Sequence, residues 1–156
     1  MEKESKKINL KIAIPVVLIL VLVIIILCMM PKLNKMSKEE MLEIAIDYSG
    51  TDENNHRKTN NFFLDLSHNL VKAEEQVGKV LKVEDYVKNI QNNYCEFDYG
   101  AVKVRLYLSN EELANLKQNS KIYVVGKLTD IKQNQRFVMG MDYEELVFEI
   151  RECYLI

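Results

Sequence analysis

Apolar and polar residues change rhythm repeatedly along the chain. Ile12 to Met30 is a run without a charged side chain. As a helix it has the length needed to cross about 30 Å of hydrocarbon. From Ser37 the apolar positions fall three and four apart: Met41, Ile44, Ala45 and Tyr48 form a stripe, and Lys38, Glu39, Glu40, Glu43 and Asp47 occupy the other side. Ser37 and Glu40 have capping-box spacing, which predicts a helix from there to Tyr48. The polar stretch GTDENNHRKTNN reads as a loop or linker. A second helix is predicted through Phe62, Phe63, Leu66, Leu70 and Ala73, stopping near Gly78.

From Lys79 the period shortens to that of strands. KVLKVEDYVKNIQ is rich in Val, Leu and Tyr, and NYCEFDY alternates. AVKVRLYL puts Val102, Val104, Leu106 and Leu108 on one face with Lys103, Arg105 and Tyr107 on the other. A two-residue loop of Tyr99 and Gly100 would set Glu96 opposite Lys103 and Tyr94 opposite Arg105 outside. Inside, Cys95 would then face Val104, and Phe97 would face Val102. Ser109 and Glu112 form a second capping box ahead of a helix whose buried stripe is Leu113 and Leu116. KIYVVGKLTDIK and ELVFEIRECYLI read as two more strands, separated by the polar QNQRFVMGMDYE.

Five strands with one helix between the third and fourth is the order of the OB-fold, a partly open Greek-key barrel whose helix plugs one end. The expected fold is therefore mainly β with helices: a single N-terminal transmembrane helix, two short helices, then a five-stranded OB-fold barrel. The expected division is 1–7 as a cytoplasmic tail, 8–30 as the anchor, 31–76 as juxtamembrane helices and linker, and 77–156 as the barrel.

Composition adds an address. A secretory signal has an apolar stretch of about 7 to 15 residues and a small-residue cleavage site, and the run here has neither. Cys28 follows Leu27, where lipid-modified cysteines resemble a pattern with a small residue, so Cys28 reads as an ordinary member of the run. Lys3, Lys6, Lys7 and Lys11 precede or begin the run, and Lys32, Lys35 and Lys38 follow it, soon joined by Glu39, Glu40 and Glu43. This bias points the N-terminus into the cytoplasm and residues 31–156 outside. That outer piece carries 17 Lys and Arg against 21 Asp and Glu, a net charge of −4. Charge and location together disfavour nucleic acid as a partner.

Residues that could carry chemistry are few. His56 lies in the polar linker and His68 beside Asn69, and no Cys or His has metal-ligand spacing. Ser67 and His68 are neighbours in sequence, which says nothing of a nucleophile and base meeting in space. The five glycines form no phosphate-cradling loop. The expectation is no enzyme, no metal and no cofactor. An outside compartment permits a disulfide between Cys95 and Cys153. In an OB barrel their strands both flank the third, two spacings of about 4.8 Å apart, beyond the usual reach of roughly 7 Å. Two inward thiols packed as small hydrophobes are the first expectation and the bond the minority alternative.

The order of short matches over residues 66–156 resembles the tRNA-anti-like family of OB-fold proteins, mostly bacterial, membrane-tethered or extracytoplasmic, and largely uncharacterised. The matches are Asn69 and Ala73, Gly78 and Lys79 with Leu81 and Val83, Ile122, Val124 and Gly126, and Ile150 with Cys153. Val77 stands where an aromatic is common, and Gln118-Asn119 replaces a usual Gly. The resemblance implies a barrel shape and no tRNA binding. OB barrels bind across their second and third strands, which nominates Tyr94, Arg105 and Tyr107, with Arg136 and Phe137 from the last loop. Such a face can stack on a sugar, a peptide or a base, and the structural reading, a charge-paired sheet, ranks ahead of it. The expected function is a membrane-anchored extracytoplasmic binding or protein-interaction module. A small-ligand or glycan binder is the alternative. An anchored haem chaperone ranks last, because no His follows His68.

Overall fold

A computed structural model describes residues 18–22, 24–25, 35–138 and 140–156, the side chain of Val138 excepted. The chain divides into two compact units, 1–35 and 36–156. In the first, residues 18–22 and 24–25 have helical backbone, and their large apolar side chains are about half exposed. Among the described residues no helix is long and apolar enough to cross a membrane. The transmembrane helix expected over 8–30 is not found among the described residues, and most of that run lies outside them.

The second unit begins with α1, Lys38–Ile44, closed at its start by the Ser37–Glu40 capping box. It stops short of Tyr48 because Ala45 turns extended, and Ile46–Asp47 becomes strand β1, paired in parallel with Leu81 and Lys82. A β-branched residue beside an open strand edge takes the ladder in preference to another helical turn. Met41 is buried against Val80 and Val125, with Met36, Ala45 and Tyr154 around it. The second predicted helix is two: α2, Lys58–Ser67, and α3, Leu70–Glu74. Between them the Ser67 hydroxyl donates to the Leu64 carbonyl, and Asn69 caps α3 by accepting from the Lys72 N–H at 3.0 Å.

The remaining strands are β2 (Val80–Tyr86), β3 (Asn89–Ile90), β4 (Cys95–Asp98), β5 (Val102–Leu106), β6 (Lys121–Val138) and β7 (Met141–Leu155). Helix α4, Asn110–Asn115, links β5 to β6 and buries Leu113. The five-stranded OB barrel expected from the sequence gives way to one mixed sheet of seven strands, ordered β1-β2-β6-β7-β5-β4-β3. Three local events make the difference. The stretch read as part of the first helix supplies β1. The first predicted strand breaks at Val87 and Lys88 into β2 and β3. The stretch from Gln133 to Glu144, read as a flexible link, is paired ladder that turns at Gly140, φ +83°. Val87 and Lys88 alone join the second strand in the order to the seventh, so the sheet must coil to bring its far edge back.

The β4–β5 register also differs from expectation. Cys95 pairs with Leu106, Glu96 with Arg105, Phe97 with Val104 and Asp98 with Lys103. The turn is longer than two residues, closed by Tyr99 N–H donating to the Val102 carbonyl at 2.9 Å. The shift is by two positions, so every side chain keeps its face. Phe63, Leu66, Leu81, Phe97, Leu106 and Phe148 are central to the core between helices and sheet. The loop before α2 is held to β2 by polar contacts: Glu84 accepts from Gly50 N–H at 2.8 Å, and buried Asp85 takes Arg57 and the Tyr99 hydroxyl.

Candidate functional site

Polar positions on β4 and β5, and Glu149 and Arg151 on β7, alternate with apolar core positions, and the alternation brings distant residues into one band. Glu96 pairs with Arg105, and Arg105 with Glu149. Two residues further on stand Tyr94, just before β4, Tyr107, just after β5, and Arg151 on β7. The Arg105 guanidinium lies 4.9 Å from the Tyr94 ring centre, the Tyr94 and Tyr107 rings are 5.6 Å apart, and Arg151 lies 4.2 Å from the Tyr107 ring centre. These are cation–π distances.

Each arginine is also held by a glutamate beneath it. Glu96 accepts from Arg105 Nε at 3.1 Å and from the Asn89 amide at 3.0 Å. Glu149 is buried. Its Oε1 accepts from Lys132 at 2.6 Å and from the Tyr107 hydroxyl at 3.0 Å, and its Oε2 accepts from Arg151 at 3.0 Å. Burial opposes the Glu149 charge, but Lys132, Arg151 and Tyr107 outweigh it and hold the carboxyl below the usual glutamate range. Burial and the neighbouring Glu149 push the Tyr107 hydroxyl up. Burial works against the Arg105 cation, and Glu96 more than restores it.

Of the nominated residues, Tyr94, Arg105 and Tyr107 are therefore brought together. Arg136 and Phe137 are not. Arg136 pairs with Tyr143, six positions along β7 from Glu149, or about 20 Å at a strand rise of 3.3 Å. There Arg136 Nε donates to buried Glu145 at 3.2 Å. By the alternation of the ladder Arg136 shares the outer face, whereas Phe137 points to the other side and is 72% exposed. Sequence reasoning missed Arg151, Glu149 and Lys132. The signal was present in EIRE, where Glu149 and Arg151 alternate with buried Ile150, but it needs the parallel β5–β7 pairing to acquire a meaning.

Cys95 is a buried free thiol on β4, and burial pushes it up to about 12. Cys153 is buried on β7, its thiol donating to the Ile150 carbonyl at 3.1 Å, and the two are not joined. His56 is exposed beside Asp52 at 3.7 Å. The Ser67 hydroxyl is engaged by a backbone carbonyl at 2.6 Å and has no base beside it among the described contacts. Among the described residues no three His, Cys, Asp or Glu side chains gather as a metal site would need. One surface depression is lined by Thr51, Asp52, Glu53, Asn54 and Lys58, another by Gln135, Asp142, Tyr143 and Glu144; neither borders the tyrosine–arginine band.

No family model, curated protein or solved structure matches the chain.

Proposed function

We propose that the chain is a non-catalytic protein-interaction module, held at a membrane by its apolar leading run with the sheet domain on the outside, and that its partner meets the Tyr94–Arg105–Tyr107–Arg151 band. The observation that carries this reading is the double support of each arginine, by a ring beside it and a carboxylate beneath it. Tyrosine and arginine are the residue types that dominate binding energy at protein interfaces. Immobilising a free arginine on binding costs roughly 0.5–1.5 kcal/mol, and side chains already ordered in the free protein escape most of that loss. A small-ligand or glycan reading draws less support, because neither of the two described depressions borders the band. In-cell crosslinking of the intact protein, followed by identification of what attaches, tests the reading. A named protein partner is expected, captured by the wild type and lost in Arg105→Ala/Arg151→Ala chains that keep wild-type circular dichroism. A chain that stays monomeric and captures nothing contradicts it.

A further inference from the structure

The β6–β7 hairpin outruns the sheet. Strand β2 accompanies β6 only from Lys121 to Lys127, and β5 joins β7 only from Leu146 onward. Between Asn134 and Glu145 the two strands pair with each other alone, and among the described residues the outer edge of β7 from Met141 to Glu145 has no strand beside it. Natural edges of this kind are usually shortened, covered, or interrupted by Pro, Lys or other charges; this stretch has no Pro or Lys, and its only charges are acidic. It carries Asp142 and Glu144, both exposed and without an ion pair among the described residues, whereas Glu145 is taken by Arg136. Asp142 and Glu144 also border the depression that includes Tyr143 and Gln135.

Charge decides which chain fits. Two copies of this edge would bring like carboxylates together, which opposes symmetric pairing. Pairing it with the other edge of the hairpin, which carries Lys132 and Arg136, would run head to tail and not close. An anionic membrane would repel it. A basic strand matches: its backbone completes the outward N–H and C=O groups, and its cations meet Asp142 and Glu144, which share one face of the ladder.

We infer that the β7 edge from Met141 to Glu145 receives an extended, lysine- or arginine-bearing segment of a partner protein as an added strand. This deepens the interaction-module reading and rests on it.

The test is fluorescence anisotropy with the full chain in mild detergent and three labelled probes: a peptide of alternating lysine and threonine, the same peptide N-methylated at alternate amides, and one of alternating glutamate and threonine. The lysine peptide is expected to bind, the other two to bind at least tenfold more weakly, and Asp142→Asn/Glu144→Gln to weaken the lysine peptide by about tenfold. No binding, equal binding of the N-methylated peptide, or equal binding by the variant overturns the inference. So does concentration-dependent self-assembly in sedimentation that the variant abolishes, which would make a second copy the occupant. If in-cell capture still depends on Arg105 and Arg151 while the lysine peptide fails, only the edge inference falls. If capture fails as well, the underlying reading falls with it.

Discussion

Gly126 and Cys153 meet across the β6–β7 ladder so closely that a Cβ on Gly126 would lie 2.8 Å from the Cys153 Sγ and 2.6 Å from Ile150 Cγ2. The ladder slips between Val125 and Lys127 at this point, and Glu152 opposite adopts φ +53°. Both features let β7 arch over β6 where only a hydrogen stands. Gly126→Ala should therefore lower the unfolding midpoint by roughly 4 to 12 °C, the effect of about 1–3 kcal/mol of overpacking in a domain of this size. Thermal unfolding followed by circular dichroism measures it; an unchanged midpoint would show that the strands do not approach as described.

Thr59 ties α2 to β2 and to the segment after β1 with one hydroxyl. It donates to the Tyr48 carbonyl at 2.8 Å and accepts from the Glu84 N–H at 2.9 Å, fully buried. Thr59→Val keeps the shape and leaves both backbone groups without that partner. The expected loss is about 1–3 kcal/mol in urea unfolding. A loss below about 0.5 kcal/mol would mean that water or another group takes over both bonds.

Glu149 makes stability depend on acidity. Its carboxyl lies below the ordinary 4.5 when folded, so its contribution is fully present above that value and is lost as pH falls through the folded one. Glu149→Gln removes the charge that Lys132 and Arg151 share. The variant should be less stable than wild type at pH 7, and the gap between the two should narrow below about pH 4.5. Urea midpoints from pH 7 to pH 3 check this, and a gap that widens toward acid would contradict the assignment.

The Cys95 thiol, pushed up to about 12 by burial, is almost wholly protonated at pH 8. Native protein treated with iodoacetamide at that pH should remain unmodified at Cys95 by mass spectrometry, and modification should appear once urea unfolds the chain. Rapid labelling of the folded protein would place Cys95 outside the core.

The features readable from the sequence were those set by neighbours along the chain. Both capping boxes, Ser37 with Glu40 and Ser109 with Glu112, form as their spacing dictates. The inward alternation of Val102, Val104 and Leu106 is likewise local, and it survives a register shift because the shift is even. What escaped depends on contacts far apart in sequence. Ile46 leaves its helix because Leu81 offers a ladder, and Arg136 moves away from Arg105 because the β6–β7 hairpin keeps pairing past the edge of the sheet. Tyr94, Arg105 and Tyr107 were legible as a cluster since they sit on adjoining strands. Arg151 needed a parallel pairing that no local pattern announces.

Docking of a partner on the Tyr94–Arg105–Tyr107–Arg151 band is the proposal that ties this site to a function. Its most direct test places a photo-crosslinking amino acid at Tyr94 in one chain and, as control, at Tyr123 in another, where β6 pairs with β2 away from the band. After irradiation in cells, position 94 should yield a discrete protein adduct and position 123 should not. An adduct formed equally at both positions, or from position 123 alone, would contradict the account.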